Sequence, residues 1–227
     1  MKSMSSKDFI PAKESAFAIR FFTLYGHWLI KRRFHRIWLS NEYLKEPDAK
    51  TVYYLNHTMW WDGLLPLLLN GYHFHQKARA LMEDTQMKKH TFFSRIGAFS
   101  INLNDPRSAI FSLRYAVKSM QRDNACLFIY PEGELVTSSD SKPEFKDGLA
   151  WLASKLPEVD FVPIGIHQSF HSHSKPELFV SVGEATPSSS RGSREEKTLL
   201  FEETLYELLT RSKRQARNPE KHFSSFF

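Results

Sequence analysis

The stretch Thr51-Val52-Tyr53-Tyr54-Leu55-Asn56-His57-Thr58-Met59-Trp60-Trp61-Asp62-Gly63-Leu64-Leu65 decides how the chain is read. Its first five residues are β-formers without a charged break, the pattern of a strand buried on both faces. From Trp60 the chain is apolar again and predicts a helix over residues 60–69, ended by Gly71. Between the two runs, His57 and Asp62 stand five positions apart. Five residues of ideal helix turn about 500°, so two such side chains on one helix point roughly 140° apart. They meet only if His57 sits in the turn before the helix and Asp62 in its first turns, which is where the pattern puts them. An imidazole whose tautomer is fixed by a carboxylate is the minimal device for taking a proton from a hydroxyl near neutral pH.

Outward from this stretch the chain alternates. Strands are predicted over residues 78–82, 99–103, 125–130, 161–166 and 178–182, and helices over 87–96, 106–120, 144–156 and 195–212. The helix over 106–120 has Pro106 near its start and Ile110, Leu113, Val117 and Met120 on one face. Such alternation predicts an α/β fold with a mixed, largely parallel β-sheet flanked by helices. Residues 185–193 read as a loop, residues 1–13 as a loose polar start, and the tail from Arg211 as a solvated basic end.

Residues 16–39 have a different character, with Phe17, Phe21, Phe22, Tyr25 and Trp28 followed by Lys31, Arg32 and Arg33. They predict one or two helices. Aromatics beside a basic cluster suit a helix lying in a membrane interface, with rings at headgroup level and cations on lipid phosphates. Packing of the same face on the core is the alternative. The expected organisation is an N-terminal interfacial helical segment over 1–45 and a main domain over 46–227.

A chain of 227 residues with net charge +6 and pI near 9.3 is long enough to bury a core and calls for an anionic partner. No nucleic-acid recognition motif accompanies the charge, so a membrane surface or an acidic substrate is expected and nucleic acid is not. The single Cys126 excludes an internal disulfide and fits a reducing compartment. No run approaches the ~20 apolar residues that span a bilayer. The N-terminus lacks the features of a secretory signal. These readings predict a cytoplasmic, peripheral membrane protein.

Three further patterns follow the His57–Asp62 pair in order. They are Gly97-Ala98-Phe99-Ser100-Ile101-Asn102-Leu103-Asn104-Asp105, Phe128-Ile129-Tyr130-Pro131-Glu132-Gly133-Glu134 and Phe161-Val162-Pro163-Ile164-Gly165-Ile166. Together the four blocks resemble those of the glycerolipid acyltransferase family, which includes the glycerol-3-phosphate and 1-acylglycerol-3-phosphate acyltransferases. The resemblance spans roughly residues 50–185 and makes 46–227 the acyltransferase domain. It implies that His57 is the general base and Asp62 its orienting carboxylate, with direct attack of a lipid hydroxyl on the thioester of acyl-CoA or acyl-carrier protein. It implies that Glu132 and Gly133 help bind the acceptor, and that Pro163 belongs to the donor side or the pocket wall. The thioester carrier is a co-substrate, and no cofactor or metal is implied.

The chain departs from the family at two places. The second block commonly carries an Arg where Leu103 stands, and that Arg is credited with gripping the acceptor's phosphate. The third block commonly continues Thr-Arg where Glu134 and Leu135 stand. A phosphate beside Glu134 is repelled, so a glycolipid or other hydroxyl-bearing lipid competes with lysophosphatidate as the acceptor. Arg107, near a helix start, is a candidate for the missing anion contact, and Lys77, Arg79 and Lys146 are others. Trp60 and Trp61, flanking the dyad, are candidates for the wall of the acyl channel or for the core. Backbone N–H groups at the start of the helix after His57 are candidate donors to the tetrahedral oxyanion. His73, His75, His167, His171 and His173 are read as incidental, since no cysteine or carboxylate cluster completes a ligand set. A thioester hydrolase using the same dyad, and a lipid-binding module that has lost activity, are the rival readings.

Overall fold

A computed structural model of the chain describes residues 9–136, 141–171, 173–186 and 192–227. Residues 1–8 of the expected loose start and residues 187–191 of the expected loop lie outside the described residues. The elements run α1 (Ala16–Arg33), β1 (Ile37–Asn41), β2 (Thr51–Leu55), α2 (Leu65–Leu69), β3 (Lys77–Glu83), α3 (Asp84–Lys89), β4 (Ala98–Ile101), α4 (Pro106–Ser119), β5 (Ala125–Ile129), α5 (Gly148–Lys155), β6 (Asp160–Ser169), β7 (Glu177–Val182), α6 (Arg194–Gln215) and β8 (Ser224–Ser225). One sheet takes all the strands in the order β4-β3-β5-β2-β6-β7-β1-β8. β6 with β7 and β1 with β8 are antiparallel, and the other pairs are parallel. This is the mixed, largely parallel α/β sheet that the alternation predicts.

β2 lies at the centre and shows why its five residues carry no polar face. Tyr53 and Leu55 pack into a layer with Ile30 and Phe34 of the α1 region and Leu65, Leu68 and Leu69 of α2. Val52 and Tyr54 pack into the opposite layer with Leu113 of α4, Leu149 and Leu152 of α5, and Phe201, Leu205 and Leu209 of α6. Period-2 alternation thus sends successive side chains into two different cores. Both β5 and β6 run parallel to β2, so the chain segments leaving β2 and β5 emerge at the same sheet edge.

Several expectations are corrected. Residues 16–39 are not helical throughout: α1 stops at Arg33, Phe34 is extended, and Ile37–Asn41 is a strand in register with β7. Trp38 and Leu39 supply β-compatible bulk, and pairing with β7 and β8 outweighs the helical pattern of the preceding residues. The sheet therefore draws one strand from the 1–45 segment. The apolar run from Trp60 is not a single helix but a 3₁₀ turn (Trp60–Leu64), α2, and a π turn (Asn70–Phe74) that carries the chain past Gly71. The region 87–96 splits at His90 into α3 and a 3₁₀ turn (Thr91–Ile96).

The ends of the described chain are also more ordered than the sequence suggests. Residues 9–13 lie along the β4 edge, where Ile10 accepts from the Ser100 N–H at 2.9 Å and Phe9 packs on Phe99 and Tyr115. The tail from Arg211 is not a solvated end: Ala216, Phe223 and Phe226 are buried, and β8 lies against β1.

α1 buries Ala18, Gly26 and Ile30 and leaves a file of rings outside. Phe17, Phe21, Tyr25 and Trp28 stack at centroid spacings of 6.4, 6.2 and 6.0 Å, and the Arg32 guanidinium sits 4.7 Å over Trp28. Phe17 is 82% exposed, and Phe21, Leu24, Tyr25 and Trp28 are exposed beside it. Among the described residues no helix is long and apolar enough to cross a membrane.

Candidate active site

The site forms where β2 ends. Asn56 is buried and uses its amide as a piece of ladder, donating to the Ile166 carbonyl and accepting from the Ile166 N–H, both at 2.8 Å. That clamp fastens the end of β2 to β6, so the next residue, His57, leaves the sheet at a fixed point. Asn56 directly precedes His57 in the quoted stretch, yet sequence reasoning gave it no role, because its partner is a backbone group 110 residues away.

Asp62 is fully buried in the 3₁₀ turn, with His57 just ahead of it, as the spacing requires. Its Oδ2 accepts from the N–H groups of Thr58 at 2.7 Å and Met59 at 2.9 Å, and lies 3.4 Å from His57 Nδ1. One carboxylate oxygen therefore shapes the turn and faces the imidazole. The Thr58 and Met59 amides, which precede the helical turn, are thereby committed to Asp62. The other oxygen, Oδ1, is buried without a hydrogen-bond partner among the described residues.

The segment after β5 braces the same turn. The Glu132 carboxylate accepts from the His57 N–H at 2.7 Å, and His57 in turn accepts at its carbonyl from the Val136 N–H at 2.8 Å. Tyr130 donates its hydroxyl to the Asp62 carbonyl at 2.7 Å, and its ring lies 4.4 Å from the imidazole. Tyr130 is a second residue whose part was not read from the sequence, since a strand-end tyrosine looks like packing. With Nδ1 toward Asp62, Nε2 is the nitrogen left for a substrate.

His57 opens on a cleft of about 1220 Å³. Its lining is largely apolar, with Leu64, Leu67, Met82, Phe92 and Phe93, and its polar residues include Lys77, Arg79, Glu83, Asn104, Glu134 and Lys146. Gly133 is held at φ +75°, and a Cβ there would come within 3.0 Å of both Leu103 Cδ1 and Lys146 Nζ. The positive φ favours glycine, and a Cβ would in addition crowd these two side-chain ends. The crowding also shows that Lys146 comes beside Leu103, at the place where the family's Arg is missing.

The structure places the other expected site residues differently. Glu132 is buried behind the dyad, and Gly133 forms the wall in its place. Trp61 packs edge-on against Phe34, whereas the exposed Trp60 lines the cleft. Arg107 starts α4, its N–H held by Asp105, and is not among the described residues lining the cleft. Arg79 lines it but is engaged by Glu14 at 2.6 Å and Ser119 at 2.6 Å.

Burial pushes the Glu132 carboxyl up to about 7, and the nearby carboxylates of Asp62 and Glu134 add to this, against the opposing pull of the His57 N–H and ring. A carboxyl raised in the folded state contributes stability that is fully present below its ordinary value of 4.5 and lost as pH rises through about 7. Glu132→Gln keeps an acceptor for the His57 N–H but removes the charge. The stability difference between variant and wild type is therefore expected to shift in the variant's favour between pH 5 and pH 8, as read by urea unfolding. An equal difference at both pH values would show that Glu132 titrates like an exposed carboxyl.

A protein-family model described as Acyltransferase matches residues 36–167, more than half of the chain. No curated protein matches the sequence. Among solved structures, the chain is similar to the crystal structure of the 1-acyl-sn-glycerophosphate (LPA) acyltransferase PlsC from Thermotoga maritima, at 17% identity and a TM-score of 0.64. That match covers 86% of this chain and 79% of the other, and at this identity it speaks for the fold. With the His57–Asp62 pair at the end of β2 and the braced Glu132-Gly133 segment beside it, the chain belongs to the acyltransferase family.

Proposed function

We propose that the protein moves a fatty acyl chain from acyl-CoA or acyl-carrier protein to a hydroxyl of a lipid at a membrane surface, with His57 as general base. The observation that carries this reading is the position of the dyad: an imidazole backed by a buried carboxylate opens on a cleft with apolar walls and a polar part. The apolar walls suit acyl chains, and Asn104, Glu134 and Lys146 suit a hydrated head.

In the proposed reaction the acceptor hydroxyl donates to His57 Nε2. The imidazole takes the proton as the oxygen attacks the thioester carbonyl carbon and the carbonyl electron pair moves onto its oxygen. Collapse of the tetrahedral species breaks the C–S bond, and the imidazolium returns the proton to the departing thiolate. Asp62 keeps its charge throughout and stabilises the imidazolium across 3.4 Å. A thioester already has a good leaving group, so a positioned hydroxyl and one base suffice.

The head group follows from the charges at the polar part of the cleft. Lys146 offers a cation, but Glu134, on the residue next to Gly133, is an acceptor for O–H groups and repels phosphate. We place there a lipid head rich in hydroxyls, such as a glycolipid, rather than the phosphate of lysophosphatidate. The ring file of α1, with Arg32 beside Trp28, supports contact with a lipid surface.

Three outcomes are expected. In a thiol-release assay with acyl-CoA and an acceptor lipid, His57→Ala lowers kcat/KM by at least about 10³-fold. Retention of full activity would remove His57 from the chemistry, and release independent of acceptor would make the protein a hydrolase. In an acceptor panel, the wild type favours a monoacyl glycolipid over 1-acylglycerol-3-phosphate, and Leu103→Arg with Glu134→Thr shifts the ratio toward the phosphate by about 10-fold or more, the effect of one charge-assisted contact. A wild type that prefers the phosphate contradicts the head-group assignment alone. In flotation with anionic vesicles, changing Phe17, Phe21 and Trp28 to Ser weakens binding by more than about 10-fold, because each ring is worth on the order of 1.5–3 kcal/mol when buried; unchanged flotation rules the ring file out as the lipid contact.

A further inference from the structure

We infer that His35, His173 and Glu177 form a binding site for a divalent transition-metal ion, of which zinc fits the donor set best. One ligand atom from each of the three lies within 4.8 Å of the others. Two imidazole nitrogens and a carboxylate oxygen are a zinc-type set that leaves a further position for water or another side chain. Imidazole donors favour zinc, copper or nickel over magnesium or calcium. His171 stands ready as a further ligand, with its Nδ1 3.6 Å from Glu177 Oε2. Read from sequence, the histidines at 171 and 173 lacked a completing carboxylate. The fold supplies it, together with a histidine more than 130 residues earlier.

The three residues are held by the backbone. β1 and β7 are parallel neighbours in register, Ile37 opposite Leu178. His35 comes just before β1 and donates its N–H to the Pro176 carbonyl at 2.8 Å. Glu177 is the first residue of β7, and His173 lies in the turn that leads into it. The imidazoles of His35 and His173 already stack at a centroid distance of 3.5 Å.

Glu177 itself is the second observation that points to a cation. It is only 7% exposed, and a buried carboxylate is costly unless it is compensated. Its described polar partners are the Trp38 indole N–H, 2.7 Å from Oε2, and the His171 imidazole. An indole N–H that orients a carboxylate is the kind of outer contact metal ligands carry, and it leaves the second oxygen to coordinate. The Arg36 guanidinium, next in sequence to His35, lies 4.8 Å over the Trp38 ring.

Zinc bonds of about 2.0–2.1 Å bring tetrahedral ligand atoms to about 3.4 Å of one another. The two exposed imidazoles therefore need to swing inward by roughly an ångström on binding, which side-chain rotation supplies. The bound ion would tie the β6–β7 turn to the connection by which α1 enters the sheet. It would thereby fix the base of the ring-bearing helix.

The test uses the untagged full chain and zinc alone. Calorimetric titration is expected to give one zinc per chain, magnesium none, and saturating zinc a rise of several degrees in Tm. His35→Ala and His173→Ala, both at exposed positions, are each expected to weaken zinc binding by at least 10-fold and to abolish the Tm rise, with the metal-free Tm unchanged. His75→Ala, at an exposed position outside the cluster, is expected to behave as wild type. The absence of saturable zinc binding, or zinc binding that survives both His35→Ala and His173→Ala, would overturn the assignment. None of these readouts depends on acyl transfer, so they stand apart from the reading of the His57 site.

Discussion

One carboxylate oxygen, Asp62 Oδ2, does three jobs from a position with no solvent exposure. It closes the turn by accepting two consecutive backbone N–H groups, and it faces the imidazole of the residue before them. A buried carboxylate survives only when charge-assisted hydrogen bonds compensate its lost hydration. The turn provides those bonds only if the chain leaves β2 in one direction. The Asn56 clamp on Ile166 and the Glu132 brace on the His57 N–H enforce that direction from two neighbouring strands. The His57–Asp62 pair thus inherits its geometry from the centre of the sheet rather than from a flexible loop.

This arrangement explains a division of labour among the residues of the third block. Glu132 lies behind the dyad and touches its backbone, whereas Gly133 and Glu134 form the wall that a substrate meets. Gly133 is constrained chiefly by its positive φ, which strains any other residue, and a side chain there would also press on the ends of Leu103 and Lys146. Glu134 and Leu103 have more freedom, being one step removed from the brace. The brace on the His57 turn and the lining of the cleft are therefore carried by adjacent residues under different constraints. The two can change independently.

Much of this was legible in the sequence. Thr51–Leu55, Ala125–Ile129 and the centre of β6 announce themselves as uninterrupted apolar runs, because strands covered on both faces need no polar side. The His57–Asp62 spacing could be satisfied in only one way, at a strand-to-helix turn. What could not be read depends on partners distant in sequence. Ile37–Asn41 follows α1 with no proline or glycine between them, and only β7 and β8 make it a strand. Lys146 reaches the cleft through the connection before α5, so its nearness to Leu103 leaves no local trace. Trp60 and Trp61 differ in role because successive helical residues point to different sides, and which side meets Phe34 and which the cleft is set by packing distant in sequence.

The C-terminal strand has a consequence for the order in which the fold is made. β8 lies on β1, and the Ser224 hydroxyl donates to a Leu39 carbonyl 185 residues earlier. β7, the other neighbour of β1, is also formed late in the chain. As synthesis proceeds, β1 emerges long before either neighbour and stays unpaired until both have followed it. Pairings with such sequence separation carry a large loop-closure cost and slow folding. For that interval the nascent chain holds a strand with two open edges directly behind a helix studded with exposed rings, the kind of surface on which chaperones act and aggregates start.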